Sequence, residues 1–194
     1  MMNVKRFPVS LNSVRLCIRP HQRGDEILLT EAITDSFDLL HEWMDWAATP
    51  QTLDKTKAYI EYSIKCWSEE FPRELPLLIF NTSQTQLLGA IAFNAIDWKI
   101  PSFEIGYWAN THYSSQGFIT EAVNILTQYA FSTWQAKRLE IRCDTENKKS
   151  AAIPERLGFQ LEAHFKNHRV QPKSKKLSGT LIFVRYDTKG LPKL

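Results

Sequence analysis

A short polar turn that ends in a glycine stands before a long helical pattern, and its residue types suit a phosphate site. Ser114, Ser115 and Gly117 precede an apolar stripe that begins at Ile119. The first N–H groups of a helix have no partner inside the helix and lie at the positive end of its dipole, so this turn could bind an anion. It lacks the lysine of a P-loop and the glycines of a dinucleotide-binding loop. The alternative, a glycine that only caps the helix, stays open.

A carboxylate and a glycine alternate in the strand-like run before this turn. Period-two alternation over Phe103 to Ala109 puts Glu104, Gly106 and Trp108 on one face. Gly106 weakens a strand unless another group approaches its backbone closely, as a ligand lying along the strand would. Glu104 would then lie beside that ligand. The alternative is a solvent-facing glutamate next to a bulge glycine.

A third polar group follows the next strand-like run. Asn147 is a favourable helix N-cap, and Ser150 lies one turn into the helix that it would cap. The Ser150 hydroxyl could donate to a ligand or bond to its own backbone. On the preceding strand, we expect Cys143 to be a buried packing residue, because nothing near it in the sequence would lower its pKa.

The elements that must position these residues follow from periodicity and from turn residues. The sequence predicts a half-buried strand over Val14 to Arg19, a helix from Ile27 towards Trp43 or Trp46 with a break near Asp35-Ser36, and a second helix starting near Thr52. It then predicts a hairpin of Leu75 to Asn81 with Leu87 to Ile96, a helix from Gly117, a strand over Arg138 to Cys143, and a short helix from Lys148 capped by Gly158. Two strands follow, over Phe159 to Phe165 and Thr180 to Tyr186. This order predicts an α+β (mixed α/β) layer architecture.

Size and composition limit the function classes. A length of 194 residues with 43% hydrophobic content predicts a single domain over residues 1–194. A net charge of +3 is too small for a dedicated nucleic-acid binder but fits a protein with an anionic small ligand. Three widely spaced cysteines predict neither disulfides nor a zinc site, which favours the cytoplasm. Met1 to Leu16 lacks the apolar run of a signal peptide, so we expect a soluble protein.

Taken together, the three polar groups resemble the GNAT superfamily of N-acetyltransferases, in particular its ribosomal-protein (RimL/RimJ-type) branch. The resemblance covers most of the chain. It rests on runs of matching order and spacing: Trp43 to Trp46, Glu104 to Trp108, Gln116 to Ala122, Tyr129 to Phe131, Ile141 to Asp144, and Asn147, Ser150 and Ile153 to Phe159.

The resemblance implies acetyl-CoA as cofactor and a central, mostly antiparallel twisted sheet with two splayed parallel strands and helices on both faces. An amine would attack the acetyl thioester directly. The implied cofactor-binding residues are Tyr107, Trp108, Ala109, Ser115, Gln116, Gly117, Phe118, Ile119, Thr120, Asn147 and Ser150. Two motif positions depart from the family pattern: Ser114 replaces an arginine or glutamine, and Ile119 replaces a small residue. Since backbone groups make most of the phosphate contacts, we expect binding to survive.

The same resemblance implies catalytic roles for Glu104 as general base acting through water and for Ser150 as hydrogen-bond donor to the leaving thiolate. Asn147 would position the cofactor or Ser150. Some RimL-type enzymes carry a glutamate at the position occupied here by Arg169, which leaves the base assignment open. His41, Trp43 and Trp46 would line the acceptor pocket, or would simply pack in the core.

The acceptor would be a primary amine, such as the N-terminal amine of a ribosomal protein. Two alternatives are a non-catalytic acyl-CoA-binding module and an acetyltransferase for a small-molecule amine. Binding of nucleic acid by the lysine-rich loop near Pro172 is less favoured, because such loops are usually only solvated. The histidines lack metal-ligand spacing, so we assign no metal. A homodimer stays open, with no residue that indicates one.

Overall fold

The computed structural model of the protein describes residues 7–194, and residues 1–6 of the N-terminal stretch lie outside the described residues. In chain order the elements are β1 Leu11–Asn12, β2 Leu16–Pro20, α1 Glu26–Asp35, α2 Phe37–Trp43, α3 Leu53–Ser68, β3 Leu75–Asn81, β4 Leu87–Asp97, β5 Ser102–Ala109, α4 Phe118–Thr133, β6 Arg138–Asp144, α5 Lys148–Arg156, β7 Gln160–Val170 and β8 Leu177–Arg185.

The strands form one eight-stranded sheet in the order β1-β2-β3-β4-β5-β6-β8-β7. Within residues 7–194 the neighbours β5 and β6 run parallel, and the other neighbouring strands pair antiparallel. The parallel pairing covers three positions and stops at Glu104 opposite Glu140, although both strands continue beyond it. The sheet therefore opens into a cleft between β5 and β6, as expected.

Helices pack on both faces of the sheet. On one face, α4 and α5 cover a core that includes Phe103, Ile105, Leu139 and Trp134. On the other face, α1, α2 and α3 cover a second core over the first strands, against which Trp108 also packs. Alternation along β5 therefore sends its side chains into two different layers. The predicted mixed α/β architecture is confirmed.

Capping residues at the helix ends explain where several helices begin and stop. Thr52 accepts a bond from the Lys55 N–H at the start of α3, as its position in the sequence predicts. Asn147 caps α5 in the same way through the Ser150 N–H. At the end of α5, Gly158 has φ +68° and donates to the Glu155 carbonyl, while Phe159 donates to the Pro154 carbonyl. This is a Schellman motif, which favours glycine at its left-handed position.

Several expectations about the elements require correction. Strand β2 begins at Leu16, and Val14 lies before it with 94% of its surface exposed. Leu16, Cys17 and Ile18 are all buried, because both faces of β2 are covered; the strand is not half-buried. In α3, Tyr59 is 41% exposed and is not part of the buried face that Ile60 defines. The last two strands are longer than predicted because they pair with each other in a hairpin.

The predicted break at Asp35-Ser36 is confirmed, since α1 ends at Asp35 and α2 begins at Phe37. The predicted hairpin of β3 and β4 is also confirmed by their antiparallel register. No helix within residues 7–194 is both long enough and apolar enough to cross a membrane.

Candidate active site

The cleft between β5 and β6 is bridged by one side chain. Tyr107 reaches from β5 to the start of α5, where its hydroxyl donates to the Ser150 carbonyl oxygen at 2.9 Å. The Ser150 hydroxyl in turn donates to the Tyr107 hydroxyl oxygen at 3.3 Å. Asn147 accepts a bond from the Ser150 N–H at 3.0 Å, so both neighbours hold Ser150 at the cleft.

The turn before α4 presents backbone N–H groups to the same region. Ser115 and Gly117 have φ of +63° and +82°, both in the left-handed region. Gly117 adopts this conformation without the steric cost that a side chain would add. No side chain caps α4, so the N–H groups of Phe118, Ile119 and Thr120 have no partner within the helix. This arrangement suits an anionic group.

A cavity of about 910 Å³ connects the turn with the cleft. It brings together most of the residues expected at the cofactor: Tyr107, Trp108, Ala109, Ser115, Gly117, Phe118, Ile119, Thr120, Asn147 and Ser150. Gln116 is not among its lining residues, and its carbonyl oxygen instead accepts a bond from Arg15. Glu104 also lies outside the lining. The cavity is thus continuous from the predicted phosphate site to the predicted proton donor.

The charges around this cavity fit a polyanionic cofactor. Among its described lining residues, Glu121 is the one acidic side chain. Four cationic side chains line the cavity: Arg15, Lys149, Arg156 and Lys193. Coenzyme A carries a diphosphate and a further phosphate on its ribose. Excess positive charge and unpartnered helix N–H groups both favour such a ligand, so the residues present fit the group.

Glu104 lies on the opposite face of the sheet from Ser150. Its carboxylate is 3.4 Å from the Arg142 guanidinium, which also pairs with Glu140 at 2.6 Å. Burial raises the pKa of Glu104, the positive charge of Arg142 lowers it, and the negative charge of Glu140 raises it again. The net effect raises the pKa of Glu104 above its ordinary value, which makes Glu104 a better proton acceptor than an exposed carboxylate.

The two other titratable groups at the cleft are held neutral. Burial raises the pKa of the Tyr107 phenol well above its usual value. Burial also raises the pKa of the Cys143 thiol to about 11, with the neighbouring Asp144 carboxylate adding to this. A thiol with such a pKa is not an activated nucleophile. The expectation that Cys143 is a packing residue fits its 5% exposure.

Gly106 requires a correction. A Cβ at this position would meet the Asn94 side-chain nitrogen at 2.6 Å, since β4 runs alongside β5 there. The space beside Gly106 is therefore filled by Asn94, and it is not a gap left for a ligand. The close approach that the glycine permits is that of the Asn94 side chain on the neighbouring strand.

The three residues expected at the acceptor pocket lie in different surroundings. Trp43 lines the large cavity and also a second cavity of about 720 Å³ under the β7–β8 hairpin. Trp46 lines neither, is 50% exposed, and lies 6.5 Å from Trp108 between ring centroids. His41 is engaged locally, because its Nδ1 lies 2.9 Å from the Ala47 carbonyl oxygen and its ring stacks on Phe37.

Arg169 connects the end of α2 with the end of β6. Its guanidinium donates to the Trp43 carbonyl oxygen at 2.9 Å and lies 3.6 Å from the buried Asp144 carboxylate. A cation held in this way cannot accept a proton, so Arg169 offers no base in place of the glutamate of some related enzymes. It holds the wall that carries Trp43.

Sequence reasoning missed several residues of the site. Arg15 contacts the turn and Arg142 contacts Glu104, each across a long sequence separation. The tail residues Pro192 to Leu194 line the large cavity. Alternation alone could have found Arg142, because it predicts Glu140 and Arg142 on one face of β6. Nothing local in the sequence points to Arg15 or to the tail.

No cluster of three or more metal-binding side chains occurs within residues 7–194. Cys17, Cys66 and Cys143 are buried and unpaired.

A mixed sheet that splays at one parallel pair, with an uncapped helix start beside the splay, fits the expected class of CoA-dependent acyltransferases. The family described as the acetyltransferase (GNAT) domain matches residues 15–160. The chain belongs to this family, and acetyl-CoA is the acyl donor that the family uses.

Two curated relatives and one solved structure illustrate the similarity. YdaF of Bacillus subtilis (strain 168), provisionally named a ribosomal N-acetyltransferase, is 30% identical over 74% of this chain and 77% of its own length. The ribosomal-protein-serine acetyltransferase of Escherichia coli (strain K12) is 26% identical over 66% of this chain and 69% of its own length. The structure of the ribosomal L7/L12 alpha-N-protein acetyltransferase RimL, solved with coenzyme A, matches this chain with a TM-score of 0.82 at 22% identity. The match covers 93% of this chain and 97% of the RimL chain.

Proposed function

We propose that this chain transfers an acetyl group from acetyl-CoA to the N-terminal α-amine of a protein, such as a ribosomal protein. The observation that carries the proposal is the placement of Glu104 and Ser150 on opposite faces of the sheet, at the cleft between β5 and β6. A proton acceptor on one side and a hydrogen-bond donor on the other suit a reaction in which an amine enters and a thiolate leaves.

The proposed cofactor seat is the cavity between the α4 turn and α5. There the N–H groups of Phe118, Ile119 and Thr120 would hold the diphosphate, and the backbone from Tyr107 to Ala109 would hold the pantetheine arm. Support comes from the helix start that no side chain caps and from the excess of cations around the cavity. When bound, acetyl-CoA supplies the acetyl thioester.

Glu104 would accept the proton of the acceptor amine at its carboxylate, through water. An α-amine has a pKa of about 7.7 to 8.0, so a fraction is already neutral at neutral pH and a modest base suffices. Ser150 would donate its hydroxyl hydrogen to the leaving sulfur. In the free protein the Ser150 hydroxyl bonds to the Tyr107 hydroxyl at 3.3 Å, so Ser150 would exchange this partner for the leaving sulfur.

The acceptor would enter beside Trp43. This side chain lines both cavities, so it stands between the proposed cofactor seat and the space under the β7–β8 hairpin. Trp46 and Trp108 would form the outer wall on the same side. The names of the relatives, which refer to ribosomal proteins and to alpha-N-protein acetylation, support a protein N-terminus as acceptor.

We further propose that the chain forms one catalytic domain and acts in the cytoplasm. One sheet contains strands from Leu11 to Arg185, which supports a single domain. Three buried, unpaired cysteines suit a reducing compartment.

The experiment is an incubation of the protein with acetyl-CoA and a panel of amines, followed by measurement of free thiol. The panel contains peptides with free N-termini, the same peptides with blocked N-termini, polyamines and amino acids. We expect thiol release with the free peptides and none with the blocked ones. Release with small amines alone would favour a small-molecule acceptor, and binding of CoA without release across the panel would favour a non-catalytic module.

A further inference from the structure

A guanidinium lies at the start of α4, where a cation is electrostatically unfavourable. The Arg15 side chain donates through Nη1 to the Gln116 carbonyl oxygen at 3.2 Å, and its Cζ lies 4.8 Å from the centre of the Phe118 ring. It reaches within 3.7 Å of the point where Gly117 would carry a Cβ. The positive end of a helix dipole repels a cation, so this placement calls for negative charge nearby.

Glu121 supplies part of that negative charge. Its carboxylate accepts bonds from Nε and Nη2 of Arg15, the first at 2.8 Å, and from the Ser13 hydroxyl at 2.5 Å. Ser13 also accepts bonds from the N–H groups of Arg15 and Leu16, at 3.2 and 3.0 Å. Glu121 and the turn at Ser13 therefore hold the guanidinium in one orientation.

These contacts leave donors of Arg15 available to a ligand. A guanidinium has five N–H groups, and the bonds to Glu121 and Gln116 use three of them. The Arg15 side chain is 47% exposed and lines the large cavity together with Gly117 and Phe118. Ser114, which lies on the chain beside this turn, offers no charge. Arg15 is thus the arginine placed where the turn would meet an anion.

We propose that Arg15 is a cofactor-binding residue that donates to the diphosphate of CoA, and that Glu121 is the positioning residue that orients it. The inference rests on the proposed cofactor seat at the α4 turn. An arginine fits this task because its planar fork can bond a phosphate with two N–H groups while other N–H groups keep their protein partners.

The first test measures the dissociation constant of CoA by titration calorimetry for the wild type and for Arg15→Gln. We expect about ten-fold weaker binding, the size of one charge-assisted hydrogen bond. Arg15→Lys should recover part of the loss, because it keeps the charge without the fork. Arg23→Gln is the matched control, because Arg23 forms a similar exposed pair with Glu61 away from the cavity and should leave affinity unchanged.

The second test separates a phosphate contact from simple neutralisation of Glu121. Glu121→Gln removes that charge, and Arg15→Gln is then measured in the Glu121→Gln background. If Arg15 contacts the diphosphate, the double variant still binds CoA several-fold more weakly than Glu121→Gln alone. Equal affinity of these two variants would overturn the inference.

Dephospho-CoA, which keeps the diphosphate but lacks the ribose phosphate, identifies the phosphate concerned. The same fold-loss with CoA and dephospho-CoA is expected for Arg15→Gln, and a loss seen with CoA alone would contradict the diphosphate assignment. A wild type that binds no CoA would instead refute the cofactor seat itself. Thermal melting of each variant checks that the fold is retained.

Discussion

At the scale of single residues, the proposed chemistry depends on two groups that the sheet separates. Glu104 takes its properties from Arg142 and Glu140, and Ser150 takes its orientation from Tyr107 and Asn147. Each group is therefore defined by neighbours from other elements.

Replacement of Glu104 with glutamine removes the proposed base while keeping the size of the side chain. We expect turnover of a peptide acceptor to fall about ten-fold at neutral pH, because only about a tenth of an α-amine with a pKa near 8 is neutral there without a base. The loss should shrink above about pH 8, because the α-amine is then neutral without help. Steady-state rates from pH 6 to 9 measure this; an equal loss at every pH would contradict the role of Glu104 as base.

Arg142→Gln tests the same base through its pKa. Arg142 lowers the pKa of Glu104, so its removal raises that pKa further. The acidic limb of the kcat/KM profile, where Glu104 becomes protonated, should therefore move to higher pH, while the alkaline side is unchanged. Arg23→Gln serves as control for the loss of a surface charge. An acidic limb that stays at the same pH would show that Glu104 is not the group whose protonation produces it.

Ser150→Ala removes the hydroxyl that would donate to the leaving sulfur. We expect kcat to fall about ten-fold, while the dissociation constant of CoA changes little, because the N–H that Asn147 caps is a backbone group and is kept. Stopped-flow rates and calorimetry give the two quantities separately. Loss of affinity with unchanged kcat would reverse the assignment and make Ser150 a binding residue only.

The residue types at the turn, at Glu104 and at Ser150 could be recognised from the sequence. Their partners could not, because Arg15 and Arg142 reach them through strand register and long-range packing. At Gly106 the glycine correctly predicts that another group comes close to the backbone. That group is the Asn94 side chain on the neighbouring strand, and not a ligand.

At the scale of elements, the residues that stabilise helix α5 also position a residue of the proposed site. Its cap, Asn147, also fixes the position of Ser150, one turn further on. Its end is fixed by Gly158, at which an added Cβ would lie 3.0 Å from the Arg185 guanidinium. Because the helix is only nine residues long, its stability depends strongly on the bonds at both ends.

Asn147→Ala removes the cap of α5. The free energy of unfolding should fall by about 1 kcal/mol, the typical value for an N-cap, and kcat should fall because Ser150 is held less firmly. Asn147→Asp keeps an acceptor at the cap and should retain most of the stability. Urea unfolding of the three proteins checks the prediction. Identical midpoints for the alanine and wild-type proteins would show that the cap contributes nothing.

Element positions were predictable where local signals are strong. The break at Asp35-Ser36, the cap at Thr52 and the glycine at 158 all follow from residue types. The start of β2 was misplaced because Val14 continues the alternation by chance, whereas pairing with β3 begins only at Leu16. Periodicity describes a strand but does not select its partner.

At the scale of the whole molecule, one sheet and two helical layers bring the turn, the cleft and the proposed acceptor wall together. The parallel neighbours β5 and β6 are distant in sequence, and α4 connects them. Local patterns predicted the strands and the alternating layers. The parallel pairing and the cleft came from the family resemblance, because periodicity carries no information on strand order.

Stability of the whole fold should depend on a buried histidine. Burial lowers the pKa of His21 to about 4, and the negative charge of Asp25 opposes this only in part. The unfolded chain, with a histidine pKa of about 6.5, binds the proton more readily, so stability is lost as the pH falls from about 6.5 towards 4.

Over that range the loss due to His21 is on the order of 3 kcal/mol. His21→Gln should flatten the dependence of the unfolding free energy on pH, although the variant is itself less stable because His21 bonds Ser63 at 2.9 Å. Urea unfolding at several pH values between 4.5 and 7 gives the slopes. Parallel slopes for the two proteins would exclude His21 as the source.

The proposed activity is tested most directly by mass spectrometry of one peptide in two forms, after incubation with the wild-type protein and acetyl-CoA. One form has a free N-terminus and blocked lysines, and the other has a blocked N-terminus and free lysines. We predict that one acetyl group is added to the first form, on its α-amine, and none to the second. Acetylation of the lysine form alone, or of neither form by a protein that binds acetyl-CoA, would contradict the account.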